Sequence, residues 1–296
     1  HTFLHDNLRS FGIFARSFSV SFCSYHHTNQ HILAYLNVTC FSCVEESFER
    51  QSADQQQVRT IMAANPRLYC AWFCPFAQRA WIGLLHKGVD FEYVEQDPYN
   101  KTPEWLAVNP RGLVPAIIHK GKAIYESAVL LEYIDEAWPQ GKHILPQDPY
   151  DRAVARIWSD HVTKKIIPPF YAMLVKKGNE ERENSKKEFL NQLLIFTDAM
   201  DKKGPYFMGN EFGLVDIMVI PWLLRLPVLK LYRALELPTT PEFQKLRKYI
   251  DSMTSLECVK KTIQNEEELI KSYQRYADDS VVSEVATAIR EGKVLP

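Results

Sequence analysis

The chain has 296 residues, of which 46% are hydrophobic, so it can bury a substantial core in one or two domains. Its formal net charge of −1 and its pI near 6.8 give no general attraction to nucleic acid or to anionic membranes, so we expect neither as a partner. No apolar run reaches the roughly 18 residues that a membrane-spanning helix requires. The six cysteines are too sparse for a disulfide scaffold, which favours a soluble protein in the reducing cytoplasm.

Residues 1–65 differ in composition from the rest of the chain. The first 61 residues include five histidines, and Met62 is the first methionine. We therefore expect translation to begin at Met62 and residues 1–65 to be an extension that is disordered or not native. An alternative is a transit peptide that includes residues 8–19, which contain arginine and serine and no acidic residue. That alternative would place the protein in mitochondria.

Two domains follow from the pattern of predicted elements. Strand and helix patterns alternate over residues 66–146, with strands at 68–72 and 91–96, helices at 75–87, 104–108 and 126–137, and a hairpin of 114–119 with 123–125. Their order, βαβαββα, indicates an α/β domain. Helical patterns then occupy 151–165, 185–202, 214–226 and 241–253. We therefore predict an all-α domain over residues 150–280.

Cys74 is the strongest candidate for a catalytic residue. It is followed by Pro75, which is favoured at the first position of a helix, so the predicted helix begins at the sulfur. Free N–H groups and the helix dipole at this end can lower a thiol pKa from about 8.5 to roughly 3.5–7.5. We therefore expect a thiolate at neutral pH, although an isolated cysteine is often a buried structural residue. A strand, a turn with cysteine and a helix is the context in which thioredoxin-like folds place their reactive sulfur.

These features, with several further motifs, resemble the cytosolic glutathione transferases, and among them the omega class, whose reactive residue is a cysteine. The resemblance covers most of residues 67–276. It is carried by Phe73-Cys74-Pro75-Phe76-Ala77, Pro103-Glu104-Trp105, Asn109-Pro110-Arg111-Gly112-Leu113-Val114-Pro115, Tyr125-Glu126-Ser127-Ala128, Tyr133-Ile134-Asp135-Glu136, Leu145-Pro146, Phe207-Met208-Gly209-Asn210 and Pro221-Trp222. It implies a thioredoxin-like first domain, an all-α second domain, glutathione as co-substrate and no metal.

The resemblance also assigns a glutathione site. A cis peptide bond before Pro115 would expose the Val114 backbone to the cysteinyl part of glutathione. Glu126 and Ser127 begin the third helix and are expected to bind the γ-glutamyl end. Without the resemblance, this pair would equally be a helix cap. The remaining residues expected to contact glutathione are Phe76 and Lys101.

Two residues close to these motifs have an alternative or a different role. Lys101 is displaced by one position from the omega pattern, because Thr102 lies between it and Pro103, and a plain surface lysine is the alternative. Asp216 follows Gly213 at the spacing of a capping box, so we expect it to stabilise the helical domain and exclude it from the active site.

The expected function is glutathione-dependent thiol transfer and dehydroascorbate reduction. Cys74 would form a mixed disulfide with glutathione, and a second glutathione would release it. An alternative is conjugation of glutathione to apolar electrophiles, with Tyr69 or a backbone donor activating glutathione. A further alternative is a non-enzymatic protein like the chloride intracellular channels, which have a similar Cys-Pro-Phe-Ser motif.

The other partner is expected to be a small disulfide, dehydroascorbate or an electrophile, and we expect a monomer or a homodimer without stable membrane insertion. Tyr171 and Trp222 are candidates for the wall of the acceptor site, although aromatic residues on helices more often belong to the core.

Overall fold

The computed structural model describes residues 65–295. The expectations about the N-terminal extension, the start at Met62 and the transit peptide therefore concern residues outside the described part. Within it, no helix is long and apolar enough to cross a membrane.

The first domain has the predicted order βαβαββα. Its elements are β1 (Arg67–Cys70), α1 (Pro75–Lys87), β2 (Glu92–Glu95), α2 (Pro103–Val108), β3 (Ala116–His119), β4 (Lys122–Tyr125) and α3 (Ser127–Ala137). The strand order in the sheet is β2-β1-β3-β4, with β1 and β2 parallel and the other two pairs antiparallel. Helices α1 and α3 pack against each other beside this sheet. The thioredoxin-like fold expected for this domain is therefore confirmed.

Local sequence explains where these elements begin and end. Pro75 is the first residue of α1, and Gly88 ends the helix in the left-handed region with φ 68°. The β3–β4 hairpin turns at Lys120 and Gly121, whose φ values of 52° and 73° suit a two-residue turn that matches the strand twist. In the register of this hairpin, Ala116 lies opposite Tyr125.

The second domain is all-α, as predicted. Its helices are α4 (Pro149–His161), α5 (Ile167–Val175), α6 (Asn179–Ala199), α7 (Leu214–Leu223), α8 (Leu226–Arg233), α9 (Pro241–Thr254), α10 (Glu257–Lys260), α11 (Glu266–Ala277) and α12 (Glu284–Arg290). A π-helical turn, Val162–Ile166, joins α4 directly to α5. The sequence prediction missed α5, because Pro168 and Pro169 suggest an end to the helix. They lie in the first turn of α5, where a missing N–H is tolerated.

Helix α12 lies beyond residue 280, the predicted end of the second domain. Ser283 caps it by accepting a hydrogen bond from the Ala286 N–H at 3.1 Å, and Ala286 and Ile289 are buried. The helix packs on α5. The predicted boundary therefore leaves out a segment that belongs to the folded domain.

The two domains meet along α1, which packs on α7. Arg79 of α1 is buried and donates two hydrogen bonds, at 3.0 and 3.1 Å, to the carbonyl oxygen of Met218 in α7. Gln78, also buried, donates to Thr262 in the loop after α10. The start of α1 is thereby held between the α/β layer and the helices.

Candidate active site

Cys74 is the residue from which α1 begins. Its backbone is extended, with φ −81° and ψ 119°, and its carbonyl accepts the first helical hydrogen bond, from the Gln78 N–H at 3.0 Å. Pro75 has no N–H, so the N–H groups of Phe76 and Ala77 are the backbone donors that lower the pKa of the thiol, although the Cys74 side chain makes no capping hydrogen bond. The sulfur lies 3.9 Å from the carbonyl oxygen of Val114. The thiol therefore has backbone donors on one side and a backbone acceptor on the other.

Burial raises the pKa of the Cys74 thiol above its ordinary value. The Ala77 N–H, the Arg225 guanidinium and, to a smaller extent, the Phe76 N–H act in the opposite direction, but burial outweighs them. The direction of this shift opposes the thiolate at neutral pH that the sequence predicts. Burial favours the protonated thiol, which can act as a hydrogen-bond donor.

The backbone of Val114 is placed to bind an extended peptide. The Val114–Pro115 peptide bond is cis, as the sequence predicts. Strand β3 begins only at Ala116, and among residues 65–295 the Val114 N–H donates no hydrogen bond. Among the same residues, its carbonyl oxygen has one contact, the long one to the Cys74 sulfur. Val114 therefore offers a donor and an acceptor beside the thiol.

Glu126 and Ser127 form the start of α3. Glu126 has φ 75°, an uncommon backbone conformation for a residue with a side chain, and its carboxylate pairs with Arg111. Ser127 is buried, and its Oγ accepts a hydrogen bond of 3.1 Å from Arg79. The first N–H groups of α3 can bind an anionic group here, next to a carboxylate that can bind a cation.

Lys101 lies across the cavity mouth from α1. Its Nζ donates to the carbonyl oxygen of Arg111 at 2.9 Å and pairs with Glu284 at 3.2 Å. Its alkyl chain passes over Gly112, where an added Cβ would lie 2.7 Å from the Lys101 Cδ. The glycine thus leaves room for the lysine to reach the cavity, so Lys101 is not an isolated surface residue.

A cavity of about 580 Å³ joins these groups. All seven residues predicted for the site line it: Cys74, Phe76, Lys101, Val114, Pro115, Glu126 and Ser127. An aromatic wall from both domains also lines it: Phe73, Tyr99, Tyr171, Tyr273 and Tyr276. A polar corner beside an aromatic wall can hold a small peptide and an apolar second molecule.

The structure places the three aromatic residues considered from the sequence in different environments. Tyr171 lines the cavity, as expected for a wall residue. Trp222 is fully buried and packs against Phe76 with ring centroids 4.9 Å apart, so it belongs to the core. Tyr69 stacks on Trp105 at 5.4 Å and does not line the cavity, so its suggested role in activating glutathione is wrong.

Sequence reasoning missed two contributors to the site. Arg225 is almost fully buried and donates to the carbonyl oxygen of Phe73 at 2.9 Å, which fixes the turn before Cys74. An arginine within the apolar stretch from α7 to α8 was a usable signal, since such a charge is rarely buried without a purpose. The segment from Val282 to Val294 supplies much of the remaining wall. The capping serine and the apolar spacing of α12 could have indicated that helix.

Residues 65–295 contain no group of three or more histidine, cysteine, aspartate or glutamate side chains arranged to hold a metal ion. Glutathione is the only co-substrate that the resemblance implies. The site has a thiol, backbone donors, a carboxylate and a lysine, which match the functional groups of that peptide.

Comparison with known proteins identifies the family. Residues 73–137 match the family model described as the glutathione S-transferase N-terminal domain, and residues 159–257 match the glutathione S-transferase C-terminal domain. Glutathione S-transferase U19 of Arabidopsis thaliana is 37% identical over 209 residues, which cover 70% of this chain and 94% of that protein.

Solved structures of glutathione transferases are also similar to this chain. Glutathione transferase Omega 3C from Trametes versicolor is 38% identical with a TM-score of 0.67, covering 76% of this chain and 96% of the other. The Tau class glutathione S-transferase of mango, Mangifera indica, is 30% identical with a TM-score of 0.68, covering 72% and 99%. The similarity thus extends to two classes, and it does not single out the omega class.

Proposed function

The chain belongs to the glutathione S-transferase family, and we propose that it conjugates glutathione to apolar electrophiles in the cavity beside Cys74. The observation that carries this proposal is the position of the Cys74 thiol, which lies 3.9 Å from the Val114 carbonyl oxygen and shares a cavity with an aromatic wall. Such a thiol can donate a hydrogen bond to the thiolate of glutathione, and the wall can hold an apolar acceptor. This was the alternative to the thiol transfer expected from the sequence, and similarity to a Tau class enzyme also supports it.

Glutathione would lie extended along the polar corner. The N–H and C=O groups of Val114 would pair with its cysteinyl residue. Ser127 and the free N–H groups of α3 would receive the γ-glutamyl carboxylate, while Glu126 would face the ammonium group. Lys101 would attract a carboxylate of the peptide.

The proposed reaction begins with loss of the glutathione thiol proton to solvent. The Cys74 S–H and the N–H groups of Phe76 and Ala77 stabilise the thiolate that remains. Its sulfur attacks an electrophilic carbon of the acceptor, a carbon–sulfur bond forms, and a halide leaves with the bonding electrons. With an activated alkene, a proton from solvent completes the addition instead.

Thiol transfer through Cys74 is the second candidate, and the sulfur itself is the observation that favours it. Its thiolate would displace one sulfur of a disulfide and form a mixed disulfide with glutathione, which a second glutathione would release as glutathione disulfide. Cys70 is fully buried on β1, so the cycle would use one cysteine. Similarity to Omega 3C supports this candidate, and dehydroascorbate reduction would belong to it. No observation favours the channel-like alternative.

The experiment compares the full chain with Cys74→Ser and Cys74→Ala, and with Cys258→Ser as a control at a half-buried cysteine. Aryl-halide conjugation and glutathione-dependent reduction of a small mixed disulfide are both measured. We expect Cys74→Ser, which keeps a donor, to retain conjugation, and Cys74→Ala to lose about tenfold to a hundredfold in kcat/KM. Fast disulfide reduction by the wild type, with both activities lost in Cys74→Ser, would instead establish thiol transfer.

A cytoplasmic location and a homodimer remain proposals at this stage. Fractionation of cells that express the chain from its own gene would test the first. Light scattering on the purified chain would test the second.

A further inference from the structure

The carboxylate of Glu284, at the start of α12, faces the polar corner of the cavity. It lies 3.2 Å from Lys101 Nζ and 3.6 Å from a terminal nitrogen of Arg111. Lys101 also donates to the carbonyl oxygen of Arg111. The C-terminal segment therefore places a negative charge on two cations that border the proposed glutathione site.

These cations have few other partners. Arg111 also pairs with Glu126, whereas Lys101 makes no other ion pair within residues 65–295. At neutral pH glutathione carries two carboxylates, so it presents the same kind of group that Glu284 provides. A peptide carboxylate and Glu284 cannot both take the same position beside Lys101.

The Glu284 side chain can leave without unfolding α12. Its side chain is 42% exposed, whereas the helix is held by other contacts. Ser283 caps it, Ile289 is buried, and Arg290 pairs with Asp279 at 2.7 Å. The contact with Lys101 is therefore a separable feature of an anchored helix.

We propose that Glu284 competes with a carboxylate of glutathione for Lys101 and Arg111, and that it thereby sets the affinity for glutathione. This inference rests on the proposed function, since it requires glutathione to bind in the polar corner. Exposed ion pairs are individually weak, so release of both should tighten binding by about threefold to tenfold.

The test measures binding of S-methylglutathione by calorimetry, because this ligand can form no disulfide with Cys74. Wild type, Glu284→Gln and the control Glu236→Gln are compared in the full chain. Glu236 also forms an exposed ion pair, with Lys230 at 2.8 Å, but it does not line the cavity. We expect about threefold to tenfold tighter binding for Glu284→Gln and no change for Glu236→Gln. Equal affinities of wild type and Glu284→Gln would overturn the inference.

Competition is separated from plain charge repulsion by the double variant with Lys101→Met. If Glu284 competes for Lys101, Glu284→Gln should tighten binding by less than half as much, on a logarithmic scale, in the Lys101→Met background. An undiminished gain in that background would overturn the inference.

This experiment is independent of turnover. Wild-type binding without any conjugation would contradict the proposed function and leave the inference intact. Binding and conjugation with no effect of Glu284→Gln would contradict the inference alone. Failure of both wild type and Glu284→Gln to bind would contradict both.

Discussion

The N-termini of α7 and α1 have different chemical surroundings. At α7, the chain supplies its own anion: the carboxylate of Asp216 accepts hydrogen bonds from the N–H groups of Phe207 and Gly213, each at 2.9 Å, and from the Tyr249 hydroxyl at 2.6 Å. Asp216 is almost fully buried. At α1, the N–H groups face the Cys74 sulfur, which opens onto a cavity.

The difference separates a folding device from a binding device. A helix start whose donors are satisfied inside the chain stabilises the domain and has nothing left to bind. At the start of α1 the Cys74 sulfur lines a cavity beside a Val114 N–H that donates no hydrogen bond among residues 65–295, so this helix start can stabilise an incoming anion. Substitutions at the two ends should therefore affect different measurements.

The largest expected effect is on stability, from Asp216→Ala. Loss of the carboxylate leaves three buried donors without a partner, so the free energy of unfolding should fall by about 3 kcal/mol. Chemical denaturation monitored by tryptophan fluorescence measures this change. Glutathione affinity of the folded fraction should stay at the wild-type value. Tyr249→Phe, which removes one of the three donors, should cost less than Asp216→Ala.

Ser127→Ala should affect glutathione binding more than stability, the reverse of Asp216→Ala. Removal of the hydroxyl at the start of α3 should weaken binding of S-methylglutathione by about tenfold, close to the cost of one hydrogen bond to a charged group. The loss of unfolding free energy should be smaller, because Arg79 keeps its two bonds to Met218. Ser159→Ala is the matched control, since the hydroxyl of this buried serine donates to the Ala155 carbonyl oxygen of its own helix, α4. If Ser127→Ala reduced the free energy of unfolding by more than it reduced the free energy of binding, the start of α3 would be a folding device like that of α7.

The smallest expected effect is the pH dependence of stability. Burial raises the pKa of Asp216 to about 6, and its hydrogen bonds only partly oppose this. Because this pKa exceeds the ordinary value of about 3.9, the folded state binds the proton more tightly between those values. Lowering the pH from 7 to 5 should therefore stabilise the wild type relative to Asp216→Asn by about 1 kcal/mol. The free energy of unfolding of both proteins is measured by denaturation at each pH. An equal change in the two proteins between pH 7 and pH 5 would contradict the raised pKa.

Most of the fold followed from sequence periodicity. The order βαβαββα, the bounds of α1 and the role of Asp216 all depend on local signals: an alternation of apolar residues, Pro75 before a helical pattern, and a capping spacing after Gly213. Helix α5 could not be predicted, because the π-helical turn before it depends on packing within the helical domain. The two prolines alone indicate a break.

Site residues that lie in sequence motifs were predicted, whereas those that reach the site through tertiary contacts were missed. Cys74, Val114 and Ser127 lie in motifs with a local physical reason for their positions. Arg225 and Glu284 reach the site from more than 150 residues beyond Cys74, and no local pattern links them to it. The sign of the pKa shift of Cys74 also depends on burial by the second domain, which the spacing around Pro75 does not reveal.

The most direct test of the account is the pH dependence of Cys74 alkylation in the glutathione-free full chain. The rate of reaction with iodoacetamide is followed at the Cys74 peptide by mass spectrometry, against a cysteine-containing peptide as reference. We predict an apparent pKa above the ordinary value of about 8.5, because burial disfavours the thiolate. An apparent pKa below about 7 would contradict it and would establish Cys74 as a thiolate nucleophile.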